Sequence, residues 1–318
     1  MAAVTDQVWD YVIVGGGAAG CVMASRLTER SALKVLLVEA GEDFQPDAIP
    51  APLQDILAAT AHSNPRFTWK QQVKFVPRPG NAPDTRKPIR YAQGRVIGGG
   101  SSVNGMVSIR GVPSDYDGWA AAGATGWGWD DVLPFFRKME TDCDFDGPMH
   151  GKDGPMHVRR VFEDRWPGFT KGFVAAAEAE GYRNLKDKNA NFGDGYFPIA
   201  VANRDGKRVS TATAYLTADV RKRPNLTIID QSRGERLLMD GTRVTGVRIQ
   251  RQGQAMDIRA KEVIVSSGAL HTPALLLRSG IGPGAELAER GIAVVADRAG
   301  VGRNLMEHPG VNFGCFMR

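Results

Sequence analysis

Apolar and polar residues near the start of the chain predict a strand, a helix and a second strand. Residues 9–14 (WDYVIV) and 34–38 (KVLLV) are short, apolar and rich in β-branched side chains, a pattern typical of buried strands. Between them, residues 18–29 carry apolar side chains at helical spacing, at Ala19, Val22, Met23 and Leu27. The order of these elements is that of a βαβ unit.

Three glycines with G-x-G-x-x-G spacing, Gly15, Gly17 and Gly20, join the first strand to the helix. Gly15 allows a tight turn, Gly17 lets a pyrophosphate approach the main chain, and Gly20 lets the helix pack closely on the strand. The first helical residues, Ala18 and Ala19, offer free N–H groups to the phosphates. The motif predicts an adenine-dinucleotide site.

Glu39 ends the second strand, 19 residues after Gly20, and Ala40 follows it. A carboxylate at this position accepts hydrogen bonds from both ribose hydroxyls and repels a 2′-phosphate, so NADP is disfavoured. The βαβ unit alone leaves FAD and NAD both open.

Two segments further along depart from regular periodicity. Residues 42–90 contain eight prolines, and we expect them to form a lid anchored by Phe67, Trp69 and Phe75; a surface excursion is the alternative. Residues 94–111 (GRVIGGGSSVNGMVSIRG) have a bare main chain suited to close approach of a flat ligand. A flexible turn is the alternative there.

The middle of the chain mixes helices with irregular stretches. We expect a helix over 131–140 capped by Asp130, a helix over 169–180 ended by Gly181, irregular structure over 182–206 and helical structure over 210–221. The aromatic residues of 115–129 are expected in the core: Tyr116, Trp119, Trp127 and Trp129.

The last third of the chain predicts a strand meander followed by a returning strand and a helix. The strands are expected at 226–230, 235–239, 243–250, 255–259 and 261–267, with a hairpin turn at Asp240–Gly241. Thr272 should cap a helix that has Pro273 at its first position and ends at Arg278. A meander with a returning strand favours an FAD domain of the disulfide-reductase type over an NAD dehydrogenase.

Composition narrows the class of protein. The 318 residues have room for about two domains. Basic residues exceed acidic ones by five (40 − 35) without clustering, which argues against a nucleic-acid partner. The three cysteines are far apart and indicate a reducing compartment. With neither a signal peptide nor an apolar run of membrane-spanning length visible, we expect a cytoplasmic protein without a membrane span.

The chain resembles the glucose–methanol–choline (GMC) oxidoreductases. Residues 94–117 (GRVIGGGSSVNGMVSIRGVPSDYD) resemble the family's first signature, departing from it at Ser108, and 268–282 (GALHTPALLLRSGIG) match its second. Weaker similarities are 210–216 (STATAYL) and 301–309 (VGRNLMEHP), the latter departing at Met306 and Glu307. Bacterial aryl-alcohol, hydroxymethylfurfural and pyridoxine oxidases are the most similar members, followed by choline dehydrogenases.

The resemblance implies an α/β fold, with a Rossmann-like FAD-binding domain of the GMC type and a partial substrate-binding domain. The FAD-binding domain is expected at 1–160 and 225–308, including the lid, and the substrate-binding part at 161–224 and 309–318. The C-terminal half of the family fold is expected to be absent from the sequence.

The resemblance also implies residue roles. Gly15, Gly17 and Gly20 would hold the FAD pyrophosphate, Glu39 the adenosine ribose, and the main chain of Gly234 the adenine. The flavin would be lined by six further residues: Val96, Gly100, Asn104, Gly105, Met106 and Val107. Val103 stands where some members carry a flavin-linked histidine, so FAD is expected to bind non-covalently.

The implied reaction is oxidation of a primary alcohol to an aldehyde, with hydride transfer to flavin N5 and oxygen or a quinone as electron acceptor. The family's base is a histidine of the C-terminal half. None of the five histidines of this chain matches its motif; His308 is expected to be a structural hydrogen-bonder. We therefore expect no catalytic residue here and an inactive fragment. A flavin-containing hydroxynitrile lyase and a non-catalytic FAD-binding remnant are the alternatives, and no metal site is expected.

Overall fold

The computed structural model describes residues 2–73 and 87–307. Its strands are β1 Val8–Val14, β2 Val35–Val38, β3 Gln72–Val73, β4 Ile89–Arg90, β5 Glu140–Asp142, β6 Met156–Arg159, β7 Val201–Arg204, β8 Lys207–Arg208, β9 Leu226–Ile229, β10 Ser232–Asp240, β11 Arg243–Arg251, β12 Gln254–Val265, β13 Ile281–Gly282 and β14 Ala296–Asp297. Its α-helices are α1 Ala2–Thr5, α2 Ala18–Leu27, α3 Ala51–Gln54, α4 Ala58–His62, α5 Pro113–Ala121, α6 Trp129–Met139, α7 Gly168–Ala179, α8 Thr211–Tyr215, α9 Ala218–Arg221, α10 Gly268–Arg278 and α11 Gly284–Glu289.

The largest sheet has the strand order β10-β11-β12-β1-β2-β9. β1 pairs in parallel with β2 and β12, and β2 pairs in parallel with β9, whereas β10, β11 and β12 are antiparallel. The predicted βαβ unit and the meander with its returning strand are both confirmed. β9, which the sequence pattern placed in the meander, lies instead at the opposite edge of the sheet.

Apolar side chains of the central strands alternate between the two faces of this sheet. Ile13, Val35 and Leu37 pack with Cys21 and Ala24 of α2 on one face. On the other face, a second cluster contains Val12, Val14, Leu36 and Val38 together with Leu275 of α10. The sheet is therefore covered on both faces, as short, continuously apolar strands require.

A smaller sheet joins two distant parts of the chain, in the order β5-β6-β7-β8. β7 lies inside 182–206, so the expectation of irregular structure is wrong for residues 201–204. Because β6 pairs with β7, the predicted domain boundary at residue 160 separates neighbouring strands of one sheet. The domain boundaries stay a prediction.

A buried network of charged side chains lies beside the small sheet. Asp142 binds the Arg160 guanidinium through two hydrogen bonds of 2.9 Å, and Arg110 Nη2 donates to Glu140 Oε1 at 2.5 Å. His150 Nε2 faces Asp187 Oδ2 at 2.7 Å, and its Nδ1 faces Asp142 Oδ2 at 3.1 Å and Glu140 Oε1 at 3.2 Å.

The charge of His150 follows from these contacts. Burial opposes protonation, but the hydrogen bonds to Asp142, Asp187 and Glu140 outweigh it and raise the pKa of His150 to about 11. His150 is therefore an imidazolium that donates from both nitrogens. Glu140, Asp142 and His150 bring ligand atoms within 4.8 Å of one another, a spacing that could hold a metal ion, but Arg110, Arg160 and His150 already supply the positive charge.

Three local predictions are wrong. Helix α6 begins at Trp129, capped by Gly128, because the Asp131 carboxylate accepts from Gly128 N; Asp130 is inside the helix. Helix α10 begins at Gly268, so Pro273 is inside it rather than at its first position. Trp119 and Trp127 are 50% and 54% exposed and so are not core residues.

Within the described residues, no helix combines the length and apolar character needed to cross a membrane. Residues 87–90 and 42–73 of the predicted lid are described, and Phe67 is buried as its proposed anchor. Phe75 lies outside the described residues, as does His308.

Candidate functional site

A cavity of about 770 Å³ lies at the carboxyl ends of β1, β2 and β12. This is the edge of a parallel sheet at which open α/β folds bind their ligands. Residues 15–20 are the first glycine segment and residues 94–111 the second. The lining residues come from both glycine segments, β10, α10 and neighbouring residues, and include Gly15, Gly17, Ala18, Ala19, Glu39, Ala40, Trp69, Gln93, Gly94, Gly99, Gly100, Arg233, Gly234, Ser266, Ser267, Gly268, His271, Thr272 and Arg278.

The first glycine segment forms one wall of the cavity. Gly15 has a φ of +105°, and a Cβ on Gly20 would lie 2.0 Å from Gly15 O, so neither position tolerates a side chain. A Cβ on Gly17, by contrast, would meet nothing closer than 3.8 Å, because this residue faces the cavity. Within the described chain no acceptor takes the N–H groups of Ala18 and Ala19, which begin α2. The wall thus presents free N–H donors to an anionic group.

Glu39 closes the cavity at the end of β2 and is only 6% exposed. Its Oε2 accepts a hydrogen bond from Gly16 N at 2.8 Å, and its Oε1 accepts one from Gly41 N at 2.7 Å. Burial raises the pKa of Glu39 to about 7, against the opposing effect of these N–H donors. Each oxygen retains lone pairs for a hydroxyl donor in the cavity.

The second glycine segment packs directly on the first. Gly98 N donates to Gly16 O at 2.7 Å, and a Cβ on Gly99 would lie 2.7 Å from Gly17 Cα. Gly100 faces open space and lines the cavity. The two segments therefore build one bare main-chain surface.

The other predicted flavin residues lie further along the second segment, and none lines the cavity. Val96 is fully buried and pairs with Glu42. Asn104, Gly105 and Val107 are exposed, and Met106 is buried with a φ of +59°. The predicted residues of the dinucleotide end, except Gly20, thus line the cavity together with Gly100. Residues 104–107 lie outside its lining, three of them exposed and Met106 buried.

Gly234 lines the cavity on the β10 side, and its local packing accounts for the glycine. A Cβ there would lie 2.6 Å from Val14 Cγ1, whose side chain packs on one face of the sheet. Arg278 donates to Gly234 O and Glu235 O and so holds this stretch of β10. Arg233 lines the same end of the cavity.

Sequence reasoning missed an aromatic pair at the cavity. The rings of Trp69 and His271 lie 4.2 Å apart, and His271 Nε2 is buried without a hydrogen-bond partner in the described chain. Burial, Arg278 and Arg233 lower the pKa of His271, so its imidazole is neutral. Trp69 was predicted only as an apolar anchor, and no local pattern links it to a histidine 202 positions later.

The remaining described histidines lie away from the cavity. His150 belongs to the charged network, His157 is in β6, and His62 is exposed at the end of α4. None of these three is placed to accept a proton from a ligand in the cavity.

Known proteins share this architecture and these motifs. The profile of a family described as GMC oxidoreductase matches residues 9–310. A 5-(hydroxymethyl)furfural oxidase from Methylovorus sp. (strain MP688) is 48% identical over 312 residues, which is 96% of this chain and 58% of that protein. An oxygen-dependent choline dehydrogenase from Rhizobium johnstonii is 39% identical, over 94% of this chain and 52% of that protein.

Solved structures agree with the sequence relatives. The crystal structure of pyridoxine 4-oxidase from Mesorbium loti superposes with a TM-score of 0.82 at 34% identity, covering 91% of this chain and 55% of that one. A formate oxidase from Aspergillus oryzae superposes with a TM-score of 0.84 at 29% identity, covering 95% and 52%. The chain spans a little over half the length of these relatives.

Proposed function

The chain belongs to the GMC oxidoreductase family, and on that premise we propose that it binds FAD and serves the oxidation of a primary alcohol to an aldehyde. The observation that carries the proposal is the cavity between the two glycine segments, with Glu39 at one end. A cavity of this kind recognises a ribose and a pyrophosphate, which are the two polar parts of a dinucleotide.

The cavity fits the adenosine and pyrophosphate parts of FAD. Gly17 leaves room for the phosphates, and the N–H groups at the start of α2 face them. Glu39 has oxygens that would accept hydrogen bonds from both ribose hydroxyls, and we propose that the main chain of Gly234, which lines the cavity, holds the adenine. We propose residues 104–107, which follow Gly100 in the sequence and lie outside the cavity lining, as the flavin face.

We propose that FAD is bound non-covalently. Val103 stands at the position of the flavin-linked histidine of some family members and is 3% exposed. An aliphatic side chain cannot form that bond. After precipitation with acid, all flavin colour should remain in the supernatant, and flavin retained in the pellet would contradict the proposal.

When bound, FAD supplies the acceptor for a hydride at flavin N5. We propose that residues of this chain bind and orient it, and Trp69 of the lid segment lines the cavity. The proton of the alcohol needs a base. Among the described histidines, His150 is already protonated, and His62 and His157 lie away from the cavity. His271 is neutral and lines the cavity, but that part of the site is proposed for the adenosine and pyrophosphate and is not lined by residues 104–107. We therefore propose that the base is not among the described residues of this chain.

The substrate proposal follows the names of the relatives. Hydroxymethylfurfural, pyridoxine and choline are primary alcohols, and the 48% identity favours the furan alcohol as the first to test. Oxygen or a quinone is proposed as the electron acceptor, and the cytoplasm as the location. We further propose that 1–160 and 225–308 bind FAD and that 161–224 and 309–318 contribute to the substrate side.

The test is purification followed by anaerobic mixing with each alcohol and with benzyl alcohol. A yellow protein supports FAD binding, and a colourless one that does not take up added FAD contradicts it. We expect that no alcohol bleaches the flavin bound to residues 1–318 alone, because losing a positioned base costs about 10²–10⁴-fold in rate. Bleaching at an enzymatic rate would place the base within this chain. A longer natural chain that binds FAD but is bleached by no alcohol would favour a hydroxynitrile lyase or a non-catalytic protein.

A further inference from the structure

Arg208 in β8 is a buried cation without a carboxylate partner. Arg208 is 4% exposed, and it forms no ion pair with an acid among residues 2–73 and 87–307. Burial lowers the pKa of its guanidinium, and the one acid whose charge opposes this is Asp55. Every other buried arginine of comparable depth, Arg110 and Arg160, is paired with carboxylates.

The Arg208 guanidinium donates hydrogen bonds to the second glycine segment. Its Nη1 donates to Asn104 O at 2.6 Å, to Asn104 Oδ1 at 3.2 Å and to Ser101 O at 3.3 Å. Asn104 Oδ1 also accepts from Met106 N at 2.9 Å. Two donors thus fix the side-chain oxygen of Asn104 inward, so its Nδ2 is directed away from them.

Part of the guanidinium is left unsatisfied. Both Nε and Nη2 of Arg208 are buried without a hydrogen-bond partner in the described chain. A buried charge that lacks both a counter-ion and some of its hydrogen bonds destabilises a fold, so a residue of this kind points to a role other than stability.

We propose that Arg208 is a positioning residue for the flavin, which fixes the 101–106 main chain and the Asn104 amide and places an uncompensated positive charge behind them. The inference rests on the proposed function. Transfer of a hydride brings two electrons and one proton to the flavin, while the hydroxyl proton goes to a base, so the reduced flavin gains one negative charge. A nearby unpaired cation favours that reduced, anionic form over the neutral oxidised form.

The test compares Arg208→Met and Arg208→Lys with the neighbouring control Lys207→Met, which removes an exposed charge from the same strand. The FAD-loaded proteins are equilibrated with a reference dye at fixed pH, and the ratio of reduced to oxidised flavin is read from absorbance. We expect Arg208→Met to shift this equilibrium about tenfold or more toward oxidised flavin, about 30 mV for two electrons. Lys207→Met should remain within about twofold of the wild type.

Arg208→Lys keeps the charge, but its ammonium group does not reproduce the position of Nη1, which donates to Asn104 O and Ser101 O. It should stay within about threefold of the wild-type equilibrium while its FAD dissociation constant rises about tenfold. If Arg208→Met does not fold, Arg208→Lys alone tests the positioning role. An FAD dissociation constant of Arg208→Lys equal to that of the wild type would then overturn the proposal.

Arg208→Met with a wild-type equilibrium would overturn the electrostatic role while leaving FAD binding in place. A wild-type protein that takes up no FAD would instead overturn the proposed function, and this inference with it. The two failures are therefore distinguishable.

Discussion

Glu39 is a carboxylate with two main-chain donors and almost no access to water. Replacing it by alanine removes the acceptor for the ribose hydroxyls. We expect Glu39→Ala to weaken FAD binding by roughly 1–3 kcal/mol, the range for a buried charge-assisted hydrogen bond. Flavin titration measures the dissociation constant. The control is Glu42→Ala, which removes a nearby carboxylate that pairs with Arg66 instead; equal losses in both variants would show that Glu39 has no specific role.

The raised pKa of Glu39 predicts a pH dependence of FAD binding. With a pKa of about 7 in the folded protein against an ordinary 4.5, Glu39 keeps a proton that the unfolded chain loses. It therefore lowers the stability of the ligand-free protein as pH rises between these values. Ribose hydroxyls donate to the ionised form, so binding releases a proton.

FAD affinity should accordingly rise with pH, by up to about tenfold per pH unit below the pKa, and level off above about pH 7. Titrations between about pH 5.5 and about pH 8.5 measure this. Glu39→Gln cannot ionise and should show a flat profile. The same slope in wild type and Glu39→Gln would assign it to another group.

The site could be predicted from sequence as far as its residues lie within one local motif. Gly15, Gly17 and Glu39 come from one βαβ unit, whose spacing alone brings them together. Trp69 and His271 meet only because the chain after β2 crosses over the start of α10, which no local pattern encodes. Arg208 could not be predicted for the same reason, since its hydrogen-bond partners Ser101 and Asn104 lie more than 100 residues earlier in the sequence.

Among the elements, β10 and β1 are packed so closely that Gly234 has no space for a side chain. We expect Gly234→Ala to lower the free energy of unfolding by about 1–3 kcal/mol, because its Cβ meets Val14 Cγ1. Urea unfolding measures this. Adding Val14→Ala should restore part of the loss, relative to Val14→Ala alone.

The matched control is Gly172→Ala in α7, where a Cβ meets nothing within 4 Å. It should stabilise the protein by about 0.5–1 kcal/mol, since alanine is the better helix former. Gly234→Ala could leave the free energy of unfolding unchanged, or lower it equally in the wild type and in the Val14→Ala background. Either result would show that the contact with Val14 does not explain the glycine.

Periodicity predicted the type of each helix or strand better than it predicted the residues at which the element begins and ends. β12 is one strand of 12 residues where the pattern indicated two, because its two halves pair with different partners and so have different burial patterns. α10 begins at Gly268, five residues before Pro273, and only Ser266 and Ser267 separate it from the end of β12 at Val265. Thr272 and Pro273 therefore lie inside the helix, although this residue pair is typical of a helix start.

At the scale of the whole molecule, the charged network ties β5 and β6 to the segment that carries Asp187. Replacing His150 by glutamine leaves three carboxylates with less positive charge in a buried site. We expect a loss of about 3–5 kcal/mol in the free energy of unfolding. His157→Gln, in the neighbouring strand and outside the network, should change it by less than about 1 kcal/mol.

The raised pKa of His150 predicts how the stability of the protein depends on pH. The pKa of His150 rises from 6.5 to about 11 on folding, so its contribution is complete below about pH 6.5 and is lost as pH rises toward 11. Urea unfolding of the wild type across this range should show the decline, and His150→Gln should lack this part of it. A chelator should leave both proteins unchanged; a chelator-induced loss of stability in the wild type alone would indicate a bound metal at Glu140, Asp142 and His150 instead.

The pairing of β1 with β12 sets the order in which the protein can fold during synthesis. Val8 pairs with Arg259 and Val14 with Val265, about 250 residues apart, and β2 also waits for β9. At roughly 5–20 residues per second, β1 and β2 emerge from the ribosome some 10–50 s before β12 is made. Both edges of this apolar two-stranded ribbon are open to pairing with other chains until β9 is made, and the β1 edge stays open until β12 follows. Chaperone occupancy of the nascent N-terminal segment is the expected consequence of this topology.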